Sequence, residues 1–177
     1  MKDERIDIYD WQGQATGRTQ LRRDELLEDA WYQVVVVWTR EAGGKLLLTR
    51  RQADKRFFPL CWEVTEGFAQ AGEGPWRAAR RELREETGLD PDESCWRYLG
   101  TVWKQSDIDG HHYQSMVAVY LVQLPEREAT VTCQPDEVLE ARWVTVQQYL
   151  AIPEEHQESF TPECFRHFCD KITDYHL

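Results

Sequence analysis

Apolar positions divide the chain into strand-like and helix-like segments. Residues 31–39 form an unbroken run of β-branched and aromatic side chains, and residues 45–49 form a second apolar run after the turn-like Ala42-Gly43-Gly44. We read these two runs as the strands of a hairpin, because turn residues separate two β-prone segments. By the same reasoning, further strands are expected at residues 96–103, 116–122 and 141–145.

The clearest helix is predicted at residues 75–87. Pro75 suits a first helical position, Gly88 suits the left-handed residue that ends a helix, and Asp90-Pro91 prevents continuation. Shorter helices are predicted at residues 146–151 and 162–174. Strands followed by an inserted helix, more strands and a terminal helix indicate a mixed α/β fold in which helices pack on a sheet.

The predicted central helix has two distinct faces. At helical spacing, Trp76, Ala79, Leu83 and Thr87 share one face, which suits packing against a sheet. The carboxylates on the adjoining face are those of Glu82, Glu85 and Glu86. Three ionised carboxylates so close together repel one another, and a divalent cation with oxygen ligands would offset that repulsion.

Other residues around this helix fit the same chemistry. Arg81 is placed to pair with one of the carboxylates and fix its rotamer. The glycines that precede the helix allow tight turns and a close approach of backbone to a ligand; they are Gly67, Gly72 and Gly74. The alternative reading of the acidic segment alone is a solvated helix face.

Composition and charge narrow the class of partner. The chain has 177 residues with a formal net charge of -11, which argues against binding a nucleic-acid polymer but allows a small phosphorylated substrate. No apolar run reaches the roughly 20 residues of a membrane span. The first residues lack a signal-peptide core, and the five scattered cysteines lack CxxC spacing. We therefore expect reduced thiols, no membrane association and a cytoplasmic protein.

The segment at residues 67–89 reads GFAQAGEGPWRAARRELREETGL. It resembles the Nudix box, G-x5-E-x7-R-E-U-x-E-E-x-G-U with U aliphatic, at every specified position. The resemblance implies an α/β/α Nudix fold, with a mixed sheet between helices, over one domain at residues 1–177. It also implies a metal-dependent hydrolase that cleaves a diphosphate linkage in a nucleoside diphosphate derivative or a similar small organic diphosphate.

The resemblance further implies roles for individual residues. The metal, Mg²⁺ or Mn²⁺, would be bound by Glu82, Glu85, Glu86 and the Gly67 carbonyl. Glu86, Glu82 and Arg81 form the expected catalytic set, with Glu86 and Glu82 as candidates for the general base. In some members an acidic residue in a loop outside the box is the general base instead. The candidates for that role here are Asp136, Glu137 and Glu140.

Residues before the box resemble the branch that includes isopentenyl diphosphate isomerase and its hydrolase-like bacterial relatives. Four cations lie in that region: Arg50, Arg51, Lys55 and Arg56. We expect Arg50, Arg51 and Lys55 to bind a substrate diphosphate; the alternative is a solvated basic edge.

An isoprenoid diphosphate isomerase is the first alternative function. That enzyme has a cysteine immediately before the glycine at the position of Gly67, where this chain has Glu66, and the spacing of Cys61 from Gly67 does not match it. Glu66 also departs from the second glycine common in hydrolases. The absence of that cysteine and the intact box favour hydrolysis over isomerisation, whereas the missing glycine is a departure from the hydrolase pattern.

The sequence leaves the substrate open. Residues 104–107 contain neither the proline nor the tyrosine that marks ADP-ribose or diadenosine polyphosphate members. A second alternative is a Nudix domain that senses a ligand without turnover. Many family members are dimers, and a homodimer is compatible with this sequence.

Overall fold

The computed structural model describes residues 4–55, 57–108 and 110–173. These described residues contain nine strands, β1 to β9, three α-helices, α1 to α3, and two short 3-10 helices. The strands are Arg5–Tyr9, Ala15–Leu21, Trp31–Arg40, Leu46–Arg51, Trp62–Glu63, Thr65–Phe68, Trp96–Ile108, His111–Gln123 and Val138–Val144. The helices are Pro75–Thr87, Val146–Leu150 and Phe160–Thr173. No helix in the described part of the chain is long and apolar enough to cross a membrane.

Strand β3 is the centre of the sheet. One of its edges pairs in parallel with β8 along the full length of β3, and β8 in turn pairs antiparallel with β7. The other edge is shared by β4, β6 and β1, which all pair antiparallel with it. The sheet is therefore mixed, as the sequence predicts.

Side chains of β3 alternate between two apolar layers. Val35 and Val37 pack with the α1 residues Ala79 and Leu83 on one face of the sheet. Residues of the opposite face, including Trp38, pack with Tyr149 of α2 and with Cys164, Phe165 and Ile172 of α3. Burial on both faces explains why residues 31–39 read as one continuous apolar run rather than an alternating one. The predicted α/β/α arrangement is confirmed.

The predicted hairpin forms only at its turn. Strands β3 and β4 are antiparallel, but the pairing of Arg40 with Leu46 is the only register between them among the described residues. Beyond that point β6 occupies the edge of β3, so β4 diverges and pairs with β9 and β5. This divergence separates β4 from β6, and residues of both strands, Arg51 and Gly67 among them, line a cavity.

Candidate functional site

Helix α1 has the bounds that the sequence predicts. Pro75 is its first residue, and Gly88 ends it in the left-handed conformation at φ 73°. The Gly88 N–H donates to the Arg84 carbonyl at 2.9 Å, which satisfies one of the free carbonyls of the last turn. The residues at its two ends therefore determine where the helix that carries the acidic residues begins and ends.

One face of α1 packs into the hydrophobic core, and the adjoining face carries the acidic residues. Ala79, Leu83 and Thr87 are fully buried against the sheet. Glu82 and Glu86 are each only 7% exposed, and together with Glu85 they line a cavity beside β6. The predicted carboxylate cluster is thus gathered at one wall of this cavity, with Glu85 as its solvent-facing member.

Arg81 connects three carboxylates to the loop that precedes the helix. Its guanidinium group donates to Glu73 at 2.8 Å, to Glu82 at 2.7 Å and to Glu85 at 3.2 Å. A further bond to the Phe68 carbonyl, at 3.0 Å, ties it to the end of β6. Because these bonds orient the carboxylates, Arg81 acts in this structure as a positioning residue for the acidic wall.

Gly67 lies in β6 directly against Glu82. A Cβ atom added at Gly67 would lie 2.2 Å from both Cδ and Oε1 of Glu82. The position therefore requires glycine because of the close approach between β6 and α1 rather than because of its φ angle. The glycine brings its own backbone beside the Glu82 carboxylate, where the predicted Gly67 carbonyl ligand would be needed.

We expect Gly67→Ala to push the Glu82 carboxylate out of its place. The variant should lose about 1–3 kcal/mol of stability through overpacking and should bind Mn²⁺ at least about tenfold more weakly. Gly74→Ala is the matched control, because a Cβ at Gly74 meets nothing within 4 Å. Calorimetric Mn²⁺ titration of both variants measures the effect, and equal affinities for the two would contradict it.

Among the described residues, Glu86 has a carboxylate oxygen without a partner. Its Oε2 atom is buried and has no hydrogen-bond partner. Burial, together with the neighbouring charges of Glu63 and Glu82, raises the pKa of Glu86 well above its ordinary value. Burial also raises the pKa of Glu82 to about 7, against the lowering effect of Arg81.

These carboxylates fit a divalent cation by their chemistry. Buried oxygen donors, one of them unpartnered, are what Mg²⁺ and Mn²⁺ bind, and a cation would offset the burial and repulsion that raise their pKa values. Among the residues that the structure describes, no group of three or more acidic, histidine or cysteine side chains is already arranged to hold an ion. Binding would therefore require rotation of side chains such as Glu85, which Arg81 now holds.

The raised pKa values predict a pH-dependent stability of the metal-free protein. For Glu63 and Glu82, with a pKa of about 7 in the folded state, the stabilising contribution is complete below the ordinary value of 4.5 and is lost as pH rises through about 7. In EDTA, Tm should therefore fall between pH 5.5 and 8.5. Saturating Mg²⁺ should reduce that fall, and scanning calorimetry checks it. A Tm in EDTA that is constant or rises across this range would contradict the prediction.

The three basic residues predicted to bind the substrate differ in their position relative to the cavity. Arg51 lines the cavity, but its guanidinium group is bound to Glu63 at 2.6 Å and to the Phe57 carbonyl at 3.1 Å. Neither Arg50 nor Lys55 is among the lining residues. Arg50 pairs with Glu140 at 3.2 Å, and Lys55 pairs with Glu137. Arg56 lies outside the described residues.

Arg50 and Arg51 also hold the loop between β4 and β5. Arg50 donates to the Leu60 carbonyl at 2.9 Å, while Arg51 holds the Phe57 carbonyl on the same loop. Phe58 and Leu60 in this loop have positive φ angles of 51° and 62°. Such conformations are strained for these residues and persist where the surroundings impose them. The structure therefore gives both arginines a role in shaping the cavity wall.

Of the three distal acids, Glu137 lines the cavity, and its charge contributes to the raised pKa of Glu86. Sequence reasoning did not predict a place at the cavity for Glu66 and Glu158, which line it, or for Glu63, which interacts with both of them. Glu63 and Glu66 flank the buried Val64 and Thr65 just before the box, which is an unusual place for charge. Glu158 carries no local signal, because only the folded chain brings it there.

Known proteins with similar sequences and structures identify the family to which this fold and acidic helix belong. The family model described as NUDIX domain matches residues 14–164. The chain belongs to the Nudix family. A Nudix hydrolase of Deinococcus radiodurans is 29% identical over 153 residues, covering 85% of this chain and 84% of the relative. The crystal structure of DR0079 from the same organism has a TM-score of 0.68 and 28% identity, covering 84% of this chain and 87% of that one.

A second kind of relative belongs to the branch that the sequence resembles. An isopentenyl-diphosphate Delta-isomerase of Cereibacter sphaeroides is 32% identical over 123 residues, covering 68% of each chain. The Nudix assignment confirms the predicted enzyme class, a Nudix pyrophosphohydrolase with a small-molecule substrate.

Proposed function

We propose that this Nudix protein hydrolyses a diphosphate linkage in a nucleoside diphosphate derivative, with Mg²⁺ or Mn²⁺ bound at the acidic wall. The observation that carries the proposal is the buried, unpartnered Oε2 atom of Glu86 beside Glu82 in the cavity. A group of this kind is costly to keep in a fold unless a ligand uses it.

The ligands of the cation would be Glu82, Glu85, Glu86 and the Gly67 carbonyl. When bound, a divalent cation polarises phosphoryl oxygens and acidifies water for attack at phosphorus. Glu86 Oε2 is our first choice to accept the proton of that water, because the atom has no competing partner. Glu82 is the second choice, since Arg81 already donates to its Oε1 atom.

The cavity that the acids line also suits a planar organic group. Five aromatic side chains line it: Phe57, Phe58, Phe68, Tyr113 and Phe160. Phe57 and Tyr113 meet edge to face with ring centroids 5.8 Å apart, so this wall is held by packing. Aromatic faces next to a phosphate-cleaving centre support a nucleobase as the organic part of the substrate.

The test is a substrate panel with the purified protein in Mg²⁺, in Mn²⁺ and in EDTA. The compounds are nucleoside di- and triphosphates, nucleotide sugars, dinucleotides and isoprenoid diphosphates, and chromatography identifies the products. We expect metal-dependent cleavage within the phosphate chain of a nucleoside compound. Binding of nucleotides without any product would favour the ligand-sensing alternative instead.

The isomerase alternative rests on the similarity to isopentenyl-diphosphate isomerases. Cys61 would have to supply its acid–base group, but Cys61 is not among the residues that line the cavity, and its Sγ lies 3.8 Å from the Glu155 carbonyl. We expect Cys61→Ala to keep full activity. Loss of turnover in this variant, with an isoprenoid diphosphate as substrate, would favour the isomerase.

We further propose that residues 1–177 form one Nudix domain in a cytoplasmic protein, and a homodimer is compatible with the chain. The single-domain reading is supported by the family match over residues 14–164.

A further inference from the structure

The hairpin of β7 and β8 forms one end of the cavity with three hydroxyl-bearing side chains. Tyr113 and Ser115 of β8 and Ser106 of β7 all line the cavity, and Ser106 lies directly opposite Tyr113 in the register of the two strands. Tyr113 and Ser115 are buried. We call these three side chains the hydroxyl cluster.

Ser115 interrupts a strand face that is otherwise apolar. The next residues on that face of β8 are Val117, Val119 and Leu121, which lie in the hydrophobic core. Among the described residues, neither the Ser115 hydroxyl nor the Tyr113 hydroxyl has a hydrogen-bond partner. Because buried hydroxyl groups normally have a partner, and because both residues line the cavity, a ligand in the cavity is the partner that the fold leaves room for.

Aromatic rings border the hydroxyl cluster. The Phe57 ring meets the Tyr113 ring edge to face, with centroids 5.8 Å apart. Lys104 lies opposite Ser115 in the strand register, and its Nζ atom is 4.8 Å from the centre of the Phe160 ring. Phe57 and Phe160 both line the cavity. Neutral hydroxyls between aromatic rings suit a flat, neutral ligand that forms hydrogen bonds at its edge.

The hydroxyl cluster is separated from the acidic wall. Strand β3 lies between β6 and β8, and its Val34 pairs with Phe68 on one side and with Val117 on the other. Two strand spacings place β8 on the order of 10 Å from β6, where Gly67 meets Glu82. A ligand that is cleaved beside Glu82 therefore needs a spacer between its phosphate and the group at the cluster. The ribose of a nucleotide is such a spacer.

We propose that the hydroxyls of Tyr113, Ser115 and Ser106 bind the hydrogen-bonding edge of a nucleobase and determine which base this protein accepts. An apolar chain in the same place would bury these hydroxyls without partners, so the cluster selects against an isoprenoid group. The inference rests on the proposed function for the position of the phosphate. It assigns base selectivity to the β7–β8 hairpin, outside the box.

The test measures base-dependent binding. Four nucleoside 5′-monophosphates, with the bases adenine, guanine, cytosine and uracil, and ribose 5-phosphate, which lacks a base, are titrated in Mg²⁺ by calorimetry into wild type, Tyr113→Phe and Ser115→Ala. We expect wild type to bind its preferred nucleotide at least about tenfold more tightly than ribose 5-phosphate. Each substitution should weaken that nucleotide about tenfold and leave ribose 5-phosphate unchanged.

Tyr98→Phe is the matched control for the loss of a phenolic hydroxyl. Tyr98 is on the same hairpin, but it is exposed, its hydroxyl bonds Thr101 Oγ1 at 2.6 Å, and it is not among the residues that line the cavity. Its nucleotide affinities should equal those of wild type.

Each result decides the inference. A wild type that binds no nucleotide more tightly than ribose 5-phosphate would overturn it, as would unchanged nucleotide affinity in both Tyr113→Phe and Ser115→Ala. An equal loss for ribose 5-phosphate would show that the hydroxyls only support the fold, which also overturns it. Loss confined to nucleotides in either variant, with Tyr98→Phe unchanged, would support it.

The substrate panel separates this inference from the proposed function. Hydrolysis of a nucleoside compound with the same kcat/KM in wild type, Tyr113→Phe and Ser115→Ala would overturn the inference and keep the function. Base-dependent binding that both variants lose, without hydrolysis of any compound, would do the reverse.

Discussion

Replacing Glu86 by glutamine should lower kcat by about 10²- to 10⁴-fold while the protein stays folded. The amide has nearly the shape of the carboxyl group but can neither take a proton from water nor bind a hard cation as strongly. Because burial and the neighbouring acids raise the pKa of Glu86, removing its charge should also leave Tm in EDTA equal or higher.

Steady-state kinetics on the substrate found in the panel, with scanning calorimetry alongside, measures both effects. Glu154→Gln is the control, because Glu154 pairs with Arg166 on the surface and is not among the cavity-lining residues. Its kcat should stay within about twofold of wild type. A Glu86→Gln variant that keeps most of its activity would contradict the role given to this residue.

Replacing Arg81 by methionine should destabilise the protein by about 3–5 kcal/mol. The change leaves the buried carboxylate of Glu82 and the partly buried carboxylate of Glu73 without their partner and removes a bond to the Phe68 carbonyl. Part of the loss should return when Mn²⁺ is added, because a bound cation can offset the charges that Arg81 no longer neutralises.

The adjacent residue provides a matched control for this variant. Arg80 pairs with Asp90 at 2.9 Å on the surface, where both side chains are about two-fifths exposed. Arg80→Met should therefore cost no more than about 1 kcal/mol. Urea unfolding with and without Mn²⁺ measures both variants, and equal losses for the two would show that the buried network does not hold the site together.

The local parts of the site are predicted well from sequence. The bounds of α1 follow from Pro75 and Gly88, and its buried face follows from helical spacing. These features depend on residues within a few positions of one another. The apolar run at residues 31–39 also predicts β3 correctly, because a strand buried on both faces needs apolar side chains on both.

The parts that depend on distant contacts are not predicted. Periodicity does not show that β6 would occupy the edge of β3, so the hairpin was expected to be longer than it is. The strands β1 and β2 were missed, and β2 is exposed and polar, so no alternation marks it. The sequence also does not show that Glu63 and the Phe57 carbonyl hold the Arg51 guanidinium group.

Attack of water at a phosphorus atom of the diphosphate linkage is tested most directly with ¹⁸O-labelled water. Wild type is incubated with Mg²⁺ and the nucleoside diphosphate derivative it cleaves fastest, and the products are analysed by mass spectrometry. We predict one ¹⁸O atom in one of the two phosphorus-containing products of wild type, and almost no labelled product from Glu86→Gln. An intact diphosphate recovered without ¹⁸O, as an isomer or as unchanged ligand, would contradict it.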